Sequence, residues 1–359
     1  MGTGNGVGDQ GLTVVYSDRH WLHAPERELE QSGFQEPFEH PGRAEIIRAA
    51  LAADPGFTIV GPTAWGSAPI TAVHDPGLVD FLADAWARYQ HECGPTHDVV
   101  PDVFRHPGLR EGMGPGPVPE SVAMQLGWWC YETTTPLTAG TYAAARASVD
   151  VALTATARVL AGERAAYGLC RPPGHHAARA VYGGYCFFNN AAIAAHHATR
   201  AGAKVAILDV DYHHGNGTQQ IFYARGDVLF VSLHADPARA YPYVTGFADE
   251  TGTGPGLGAT RNLPLAAGAG DTELLAALAS AAETIDRFGA DLIVVSLGLD
   301  MFVDDPIADL TVTTDGFGAS GRLVGELGRP TVVLQEGGYA TEALGANAAR
   351  WLRGLASAR

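Results

Sequence analysis

The chain has 359 residues, 46% hydrophobic and 17% charged, a globular composition that excludes a disordered or fibrous protein. It carries 23 basic and 39 acidic residues, and the formal net charge of −16 argues against a nucleic-acid partner. The sequence shows no signal peptide and no apolar run of membrane-spanning length, and its four cysteines lack paired spacing. We therefore expect a cytoplasmic protein with reduced thiols and no membrane partner.

Residues 1–11 are polar and rich in glycine, and we expect them to form a flexible tail. Beyond them, short β-branched runs alternate with alanine-rich helical stretches. The predicted strands are 12–16, 57–60, 167–170, 205–210, 228–234, 292–297 and 331–335. The predicted helices are 43–53, 142–160, 189–200, 271–288, 316–327 and 342–355. This alternation, with later strands apolar throughout, predicts an α/β fold: a single three-layer αβα domain, residues 12–359, around a mostly parallel central sheet.

Two segments, residues 91–119 and residues 236–264, lack this periodicity. The first is rich in Gly, Pro and His and is longer than an ordinary connection, which is typical of a lid, an interface loop or a disordered segment. The second has a similar character. In open α/β sheets the ligand crevice lies beyond the carboxyl ends of the strands, so the polar residues that end the strands are the candidates for chemistry.

Four of the predicted strands end in reactive side chains. The four strand-end sequences are Arg171-Pro-Pro-Gly-His175-His176, Asp209-Val-Asp211-Tyr-His213-His214-Gly-Asn216, Gly298-Leu-Asp300 and Glu336-Gly-Gly-Tyr339. Alternation along a strand sends Asp209, Asp211 and His213 toward one side. These groups would be costly to bury unpaired, and a bound cation removes that penalty. A buried hydrogen-bond network without a metal is the alternative.

A mixed set of imidazole and carboxylate ligands suits zinc, and three protein ligands leave a position for water, as catalytic sites do. Asp300, at the end of another buried strand, is the natural third ligand beside Asp211 and His213. Such a site also needs a base and a donor for the oxyanion. A histidine of the His175–His176 pair and the Tyr339 hydroxyl can supply them, although either motif alone is equally compatible with an ordinary structural role.

Six motifs in order, RPPGHHA, GGYCFFNNAA, DVDYHHGNGTQ, SLH, SLGLD and QEGGY, resemble the signature series of the arginase/deacetylase fold. They are most similar to the acetylpolyamine amidohydrolases and the class II histone deacetylases, over nearly the whole chain. The resemblance implies a zinc-dependent deacetylase, in which Asp211, His213 and Asp300 match the ligands of one zinc ion. Tyr339 matches the oxyanion donor.

The resemblance also assigns the two histidines. His176 matches the general base that takes the proton from the attacking water and returns it to the leaving amine, and Asn216 lies where the family orients that base. His175 matches the electrostatic partner, oriented by Asp209. The residue at the position of Asn216 is Asp in class I deacetylases and Asn in the polyamine enzymes. A neutral partner stabilises imidazolium less than a carboxylate does, so His176 should be a weaker base than the corresponding histidine of class I deacetylases.

Further residues match the substrate tunnel of this family. Gly184 matches the backbone carbonyl that holds the scissile N–H, and Tyr185 and Tyr241 match the aromatic walls, with ordinary core packing as the alternative. The residues that resemble a structural potassium site are Asp209, Asp211, His213, Ser232 and Leu233. Insertions similar to residues 91–119 build a dimer interface in the polyamine relatives, so we expect a homodimer.

One departure concerns the substrate. Where the polyamine enzymes carry a glutamate that meets the distal ammonium group, this chain has Ala123, with Glu111 and Glu120 nearby in sequence. A small acetylated amine of the acetylpolyamine type is the predicted substrate, which the acidic net charge favours by long-range attraction. A specialised biosynthetic metabolite and acetyl-lysine are the alternatives.

Two other classes of protein share this fold. A binuclear manganese ureohydrolase requires an Asp-x-Asp pair after the strand predicted at 292–297. Here Asp300 is followed by Met301 and Phe302. A non-catalytic binding protein should have lost a ligand, the base or the tyrosine, and this chain has lost none of them. The sequence therefore favours a mononuclear deacylase.

Overall fold

The computed structural model describes residues 11–30, 33–114 and 116–358, so the predicted tail lies outside the described residues apart from Gly11. The strands of the central sheet are β1 (Leu12–Val15), β4 (Phe57–Val60), β5 (Ala165–Gly168), β6 (Val205–Asp209), β7 (Val228–Ala235), β8 (Thr260–Leu265), β9 (Leu292–Leu297) and β10 (Thr331–Gln335). Their order is β4-β1-β5-β10-β9-β6-β7-β8, and every neighbouring pair is parallel. A separate antiparallel pair joins β2 (Glu28–Glu30) to β3 (Gly33–Gln35).

Helices cover both faces of the sheet. Those of the described ranges are α1 (Pro41–Ala52), α2 (Ala68–Thr71), α3 (Pro76–Glu92), α4 (Val122–Trp129), α5 (Thr141–Leu160), α6 (Asn190–Arg200), α7 (Asn216–Phe222), α8 (Asp271–Phe288), α9 (Thr314–Glu326) and α10 (Thr341–Ser357). Buried residues of α3, α5 and α6 form one core, and those of α1, α8, α9 and α10 form the other. None of these helices is both long and apolar enough to cross a bilayer.

Each central strand contributes to both cores because successive side chains point to opposite faces. In β6, Val205 and Ile207 lie in the first core, and Ala206 and Leu208 lie in the second. This is why the strand is an unbroken apolar run rather than an alternating one. The predicted fold class, one αβα domain with a parallel central sheet, is confirmed.

Two predicted details were wrong. The strand predicted at 167–170 occupies Ala165–Gly168, because two alanines with weak strand propensity begin the pairing with β10. Residues 236–264 were predicted to be irregular, but they run into the edge strand β8. That strand contains Pro264, and proline is tolerated at an edge, where one side of the strand needs no partner.

Helices α3 and α4 are two further elements that were not predicted from the sequence. Helix α3 has a recognisable start, since Asp75 accepts a hydrogen bond from the backbone of Gly77 (2.9 Å) and Pro76 occupies the first turn. The described residues between these helices include one 3₁₀ turn, Pro107–Arg110, and are tied to the domain by Val99, which pairs with Leu137. The segment predicted as an insertion at 91–119 therefore begins in the last turn of α3.

The sheet order determines where the chemistry lies. Strands β5, β10, β9 and β6 are consecutive neighbours at the centre of the sheet, and they are the four strands that end in reactive residues. Since all four are parallel, their carboxyl ends meet at one edge. Residues distant in sequence, such as His175 and Tyr339, are brought together in this way.

Close packing of α9 on α10 generates a testable prediction. A Cβ atom at residue 321 would overlap the backbone carbonyl oxygen of Trp351, which cannot move without moving α10. Gly321→Ala should lower the free energy of unfolding by roughly 1–3 kcal/mol, despite the better helix propensity of alanine. Urea denaturation measures this. Gly318→Ala is the control, because its added Cβ meets only the flexible side chain of Arg350; equal losses in both variants would contradict the packing argument.

Candidate active site

Asp211, His213 and Asp300 form a compact buried cluster at the carboxyl edge of the sheet. One ligand atom from each lies within 4.8 Å of the other two. Nδ1 of His213 is 3.3 Å from Oδ1 of Asp211 and 3.1 Å from Oδ2 of Asp300. Backbone donors hold the carboxylates in place: the N–H of Gly337 donates to Asp211 (2.9 Å) and the N–H of Tyr212 donates to Asp300 (2.8 Å).

Two glycines make room for this cluster. A Cβ atom at Gly298 would overlap the carboxylate of Asp211, and a Cβ atom at Gly337 would overlap the carboxylate of Asp300. The backbone of β9 and β10 therefore approaches the carboxylates as closely as the chain allows. The sequence signals SLGLD and QEGGY contain these glycines for a steric reason.

The electrostatics of the cluster favour a bound cation. Burial first, and then the neighbouring Asp211 carboxylate, raises the pKa of Asp300. Burial lowers the pKa of His213, but hydrogen bonds to Asp211 and Asp300 outweigh it and bring the pKa to about 9. Two buried carboxylates thus share one imidazole, a cluster whose negative charge a divalent cation would balance. One nitrogen and two carboxylate donors fit zinc among the common metals.

His175 and His176 lie beside this cluster in different environments. Nδ1 of His175 is 3.1 Å from Oδ2 of Asp209. Burial lowers the pKa of His175, but the carboxylates of Asp211 and Asp209 raise it to about 10. The pKa of His176 is well below its ordinary value because of burial and the neighbouring His175 and His213. One histidine is therefore held charged and the other neutral.

The neutral His176 is oriented by an amide. Oδ1 of Asn216 lies 2.6 Å from Nδ1 of His176, and Nδ2 of the same amide donates to the carbonyl of His176 at 3.4 Å. The carbonyl can only accept, so the amide oxygen faces the ring and accepts the Nδ1 proton. This leaves the Nε2 lone pair of His176 free to accept a proton.

Tyr339 follows the turn after β10. Its backbone N–H donates to Asp305 (2.7 Å), and burial raises the pKa of its hydroxyl well above the ordinary value, which keeps it protonated. Arg43 of α1 lies over its ring at 4.5 Å and donates to the carbonyls of Gly338 (2.6 Å) and Glu336 (3.0 Å). The turn that carries Tyr339 is therefore held by an arginine almost 300 residues away in sequence.

The two tyrosines assigned to the tunnel flank the cluster. The ring of Tyr185 is 6.0 Å from that of Tyr339, and the ring of Tyr241 is 5.0 Å from that of His176 and 6.0 Å from that of His213. Burial is the principal cause of the raised pKa of both phenols. The two rings thus lie beside different members of the cluster.

Gly184 lies in close contact with the ring of His176. A Cβ atom there would overlap the ring of His176, and both Gly184 (φ 58°) and Tyr185 (φ 65°) adopt the left-handed region. Glu132 accepts the N–H of Gly184 (2.9 Å), and Thr135 accepts that of Tyr185 (2.7 Å). Hydrogen bonds to side chains from another segment therefore hold this strained turn and fix the direction of the Gly184 carbonyl.

The residues matched to a potassium site lie at the ends of β6 and β7. Asp209 pairs in register with Ser232, and Leu233 follows on the same strand. The hydroxyl of Ser232 is 2.7 Å from Nδ1 of His234. Asp209 also accepts the backbone N–H of Asp211 (3.2 Å). The same carboxylate therefore contacts His175 and stabilises the turn that follows β6.

Several residues around the site were not assigned from the sequence. Glu336 was noted only as part of a motif, yet its carboxylate accepts the backbone N–H groups of Gly174 (2.6 Å) and His175 (3.1 Å). Burial raises its pKa to about 7. Arg43, Glu28, Tyr131 and Glu132 had no local signal, because each reaches the site from a distant segment. Of the residues predicted near the substrate rim, Ala123 is half-buried in α4, and Glu111 and Glu120 are exposed.

The domain has a parallel central sheet with a buried group of possible metal ligands at its carboxyl edge, and comparison with known proteins places it in a family. The histone deacetylase domain model matches residues 37–355, so the chain belongs to the histone deacetylase family. It is 45% identical over 348 residues to acetylpolyamine amidohydrolase 1 of Pseudomonas aeruginosa, covering 97% of this chain and 99% of that protein. It is 42% identical to the acetylpolyamine amidohydrolase of Mycoplana ramosa, covering 96% and 100%.

A solved structure agrees with this assignment. The crystal structure of acetylpolyamine aminohydrolase from Burkholderia pseudomallei matches with a TM-score of 0.90 at 41% identity, covering 97% of this chain and 99% of that one. The family and the fold implied by the resemblance are therefore confirmed.

The buried carboxyl of Glu28 gives a pH prediction. It lies behind Tyr185, receives a hydrogen bond from Gln35 (3.0 Å), and has a pKa raised from 4.5 to about 7, chiefly by burial. A raised carboxyl pKa means that the folded state holds its proton longer, so stability is lost as pH rises from about 4.5 through about 7. Glu28→Gln removes this loss.

Relative to the unchanged protein, Glu28→Gln should therefore gain roughly 1–2 kcal/mol in free energy of unfolding between pH 5 and pH 8. Chemical denaturation at the two pH values measures the gain. Glu36→Gln, an exposed change on the same stretch of chain, is the control. A difference between Glu28→Gln and the parent that is independent of pH would contradict the prediction.

Proposed function

We propose that this protein is a zinc-dependent amidohydrolase that removes an acetyl group from a small amine of the acetylpolyamine type. The observation that carries the proposal is the buried cluster of Asp211, His213 and Asp300 with a neutral His176 and a protonated Tyr339 around it. Relatives that match nearly the full chain are named as acetylpolyamine amidohydrolases, which supports the same hydrolytic class.

Asp211, His213 and Asp300 would hold one zinc ion. When bound, zinc supplies Lewis acidity that lowers the pKa of a water molecule and polarises a carbonyl group. The fit rests on the donor set, on its burial, and on the glycines that admit the carboxylates. The mononuclear form is favoured because the residues after Asp300, Met301 and Phe302, offer no second carboxylate of the Asp-x-Asp type.

His176 acts as the general base. Its Nε2 lone pair accepts the proton of the attacking water and returns it to the leaving amine, while Asn216 keeps the other proton on Nδ1. His175 stays protonated beside Asp209 and supplies fixed positive charge next to the reacting groups. This division resembles other sites in which neighbouring titratable groups are driven to opposite protonation states.

Tyr339 donates its hydroxyl hydrogen to the oxyanion that forms on the substrate carbonyl. The Gly184 carbonyl accepts the scissile N–H, and the rings of Tyr185 and Tyr241 line the alkyl chain. Glu132 and Thr135 support this role because they hold the Gly184–Tyr185 turn. Asp209 and Ser232, with backbone oxygens of Asp211, His213 and Leu233, would bind a structural potassium ion.

One part of the surface is suited to assembly with a second copy of the chain. Exposed apolar side chains occur along the predicted insertion and at the start of α4; they are Val103, Leu109, Met113, Val118 and Met124. Such a surface favours association, and we propose a homodimer whose partner narrows the entrance. The four cysteines, all in described segments, are free thiols, in keeping with a cytoplasmic protein.

The chemical step gives a direct prediction. Tyr339→Phe should keep the metal and the fold but lower kcat on an acetylated amine by about 100- to 1000-fold, since one oxyanion donor is lost. Steady-state kinetics together with metal analysis measure both effects. Tyr142→Phe, in which the altered ring packs on Phe188 away from the cluster, should be nearly silent. Near-normal turnover by Tyr339→Phe would remove Tyr339 from the mechanism.

The substrate class gives a second prediction. N-acetylputrescine should have a kcat/KM about threefold or more above that of the neutral N-pentylacetamide at low ionic strength, and salt should reduce the difference. Ala123→Glu should increase the preference by adding a carboxylate at the rim, whereas Ala123→Gln should not. A higher kcat/KM for the neutral amide would instead favour a neutral acylated metabolite.

A further inference from the structure

Two side chains of the segment that follows α4 hold the backbone of the turn at Gly184 and Tyr185. Glu132 accepts the backbone N–H of Gly184 (2.9 Å). Thr135, whose side chain is buried, accepts the backbone N–H of Tyr185 through its hydroxyl oxygen (2.7 Å). This segment therefore controls the backbone that carries the proposed contact to the scissile N–H.

The hydroxyl of Thr135 is oriented by Glu132. It donates its hydrogen to Oε1 of Glu132, the same oxygen that accepts the N–H of Gly184. The other oxygen, Oε2, accepts the backbone N–H and the hydroxyl hydrogen of Thr134. A carboxylate can accept all four hydrogen bonds because it carries no hydrogen of its own. The hydroxyl oxygen of Thr135 is therefore left to accept the N–H of Tyr185.

This last hydrogen bond sets the direction of the Gly184 carbonyl. The carbonyl of Gly184 and the N–H of Tyr185 belong to one planar trans peptide group, so the two bonds point in opposite directions. Because the N–H is directed at Thr135, the carbonyl points away from that side chain. No backbone N–H of residues 11–30, 33–114 and 116–358 donates to this carbonyl. It is therefore available to accept a hydrogen bond from a substrate.

The local chain alone would not favour this direction. Tyr185 has a φ of 65°, in the left-handed region, which a bulky residue rarely adopts. A half-turn of the peptide group between Gly184 and Tyr185 would bring φ of Tyr185 to an ordinary negative value and would turn the carbonyl toward Thr135. Gly184 tolerates both arrangements because it has no Cβ atom. Thr135 therefore holds the peptide group against the conformational preference of Tyr185.

We infer that Thr135, supported by Glu132, is a positioning residue that makes the site selective for amides over esters. The inference rests on the proposed function, in which the Gly184 carbonyl accepts the scissile N–H. An ester of the same shape has an oxygen atom where the amide has this N–H, so a correctly directed carbonyl favours the amide alone. Release of the peptide group would remove this advantage and leave hydrolysis of the ester almost unchanged.

The test compares N-acetylputrescine with 4-aminobutyl acetate, which differ only in having an N–H or an oxygen beside the acetyl group. Both are assayed at pH 7, where the distal amine is protonated and does not attack the ester. Thr135→Val keeps the shape of the side chain and removes its hydroxyl. It should lower kcat/KM about tenfold for the amide, the effect of one lost hydrogen bond, and less than about twofold for the ester.

Two matched variants separate this role from a general structural one. Thr135→Ser keeps the hydroxyl and should retain the amide-to-ester ratio of the parent protein. Thr133→Val removes a neighbouring hydroxyl that donates to the carbonyl of Leu29 (2.8 Å), away from the turn, and should retain the ratio as well. An equal fall of kcat/KM for both substrates in Thr135→Val would overturn the inference, because it would show a structural loss without selectivity.

A second measurement does not depend on activity. Hydrogen exchange of the Tyr185 amide, followed by NMR of protein labelled with nitrogen-15 tyrosine, should be at least about tenfold faster in Thr135→Val than in the parent or in Thr135→Ser. Unchanged exchange would show that Thr135 does not hold the peptide group and would overturn the inference. A parent protein that hydrolyses neither substrate would refute the proposed function and the selectivity with it, and the exchange rates would still decide whether Thr135 holds the turn.

Discussion

The burial of four carboxylates at one edge of a parallel sheet is the constraint on which the rest of the site depends. Asp209, Asp211, Asp300 and Glu336 all lie at or just beyond the ends of central strands, and all are shielded from water. Glu336 is satisfied by backbone N–H groups and Asp209 by His175. Asp211 and Asp300 share a single imidazole, and this is the pair that a metal ion would neutralise.

Once the carboxylates are in place, the protonation of the histidines follows. Asp209 and Asp211 hold His175 in its charged form, and the positive charge of His175 helps to keep His176 neutral. The two adjacent residues thus differ because one faces carboxylates and the other faces an amide. The turn of Tyr339 is held in a similar way: Glu39 forms an ion pair with Arg43 (3.0 Å), and Arg43 donates a hydrogen bond to the carbonyl of Gly338. Each proposed catalytic side chain is therefore held in place by a neighbouring side chain that would not itself react.

Much of this could be predicted because the informative residues are contiguous. The strand-end motifs combine an apolar run, a glycine and the polar residues after it. One short stretch of sequence therefore predicts the strand, the turn and the candidate ligands together. The clearest case is β6 with Asp211 and His213. The parallel sheet follows from the alternation of such strands with helices. The weaker predictions were those in which the local signal was ambiguous, as in the alanines of β5 or the proline-containing β8.

What the sequence did not reveal is non-local. Tyr131, Arg43 and Glu28 lie on segments that carry no reactive motif, and only the folded chain brings them to Tyr241, Tyr339 and Tyr185. A buried polar residue of this kind has the same appearance in sequence as a surface one. The predicted substrate rim is harder still, since Ala123 offers no charged group from which a substrate could be inferred.

The central claim is that Asp211, His213 and Asp300 bind one metal ion, and anomalous diffraction tests it most directly. A crystal of the zinc-loaded protein measured on both sides of the zinc absorption edge should show one anomalous peak per chain, within bonding distance of all three side chains at about 2.0–2.2 Å. Two peaks in this cluster would indicate binuclear chemistry of the ureohydrolase type. No peak there, in a protein that still hydrolyses an acetylated amine, would contradict the account.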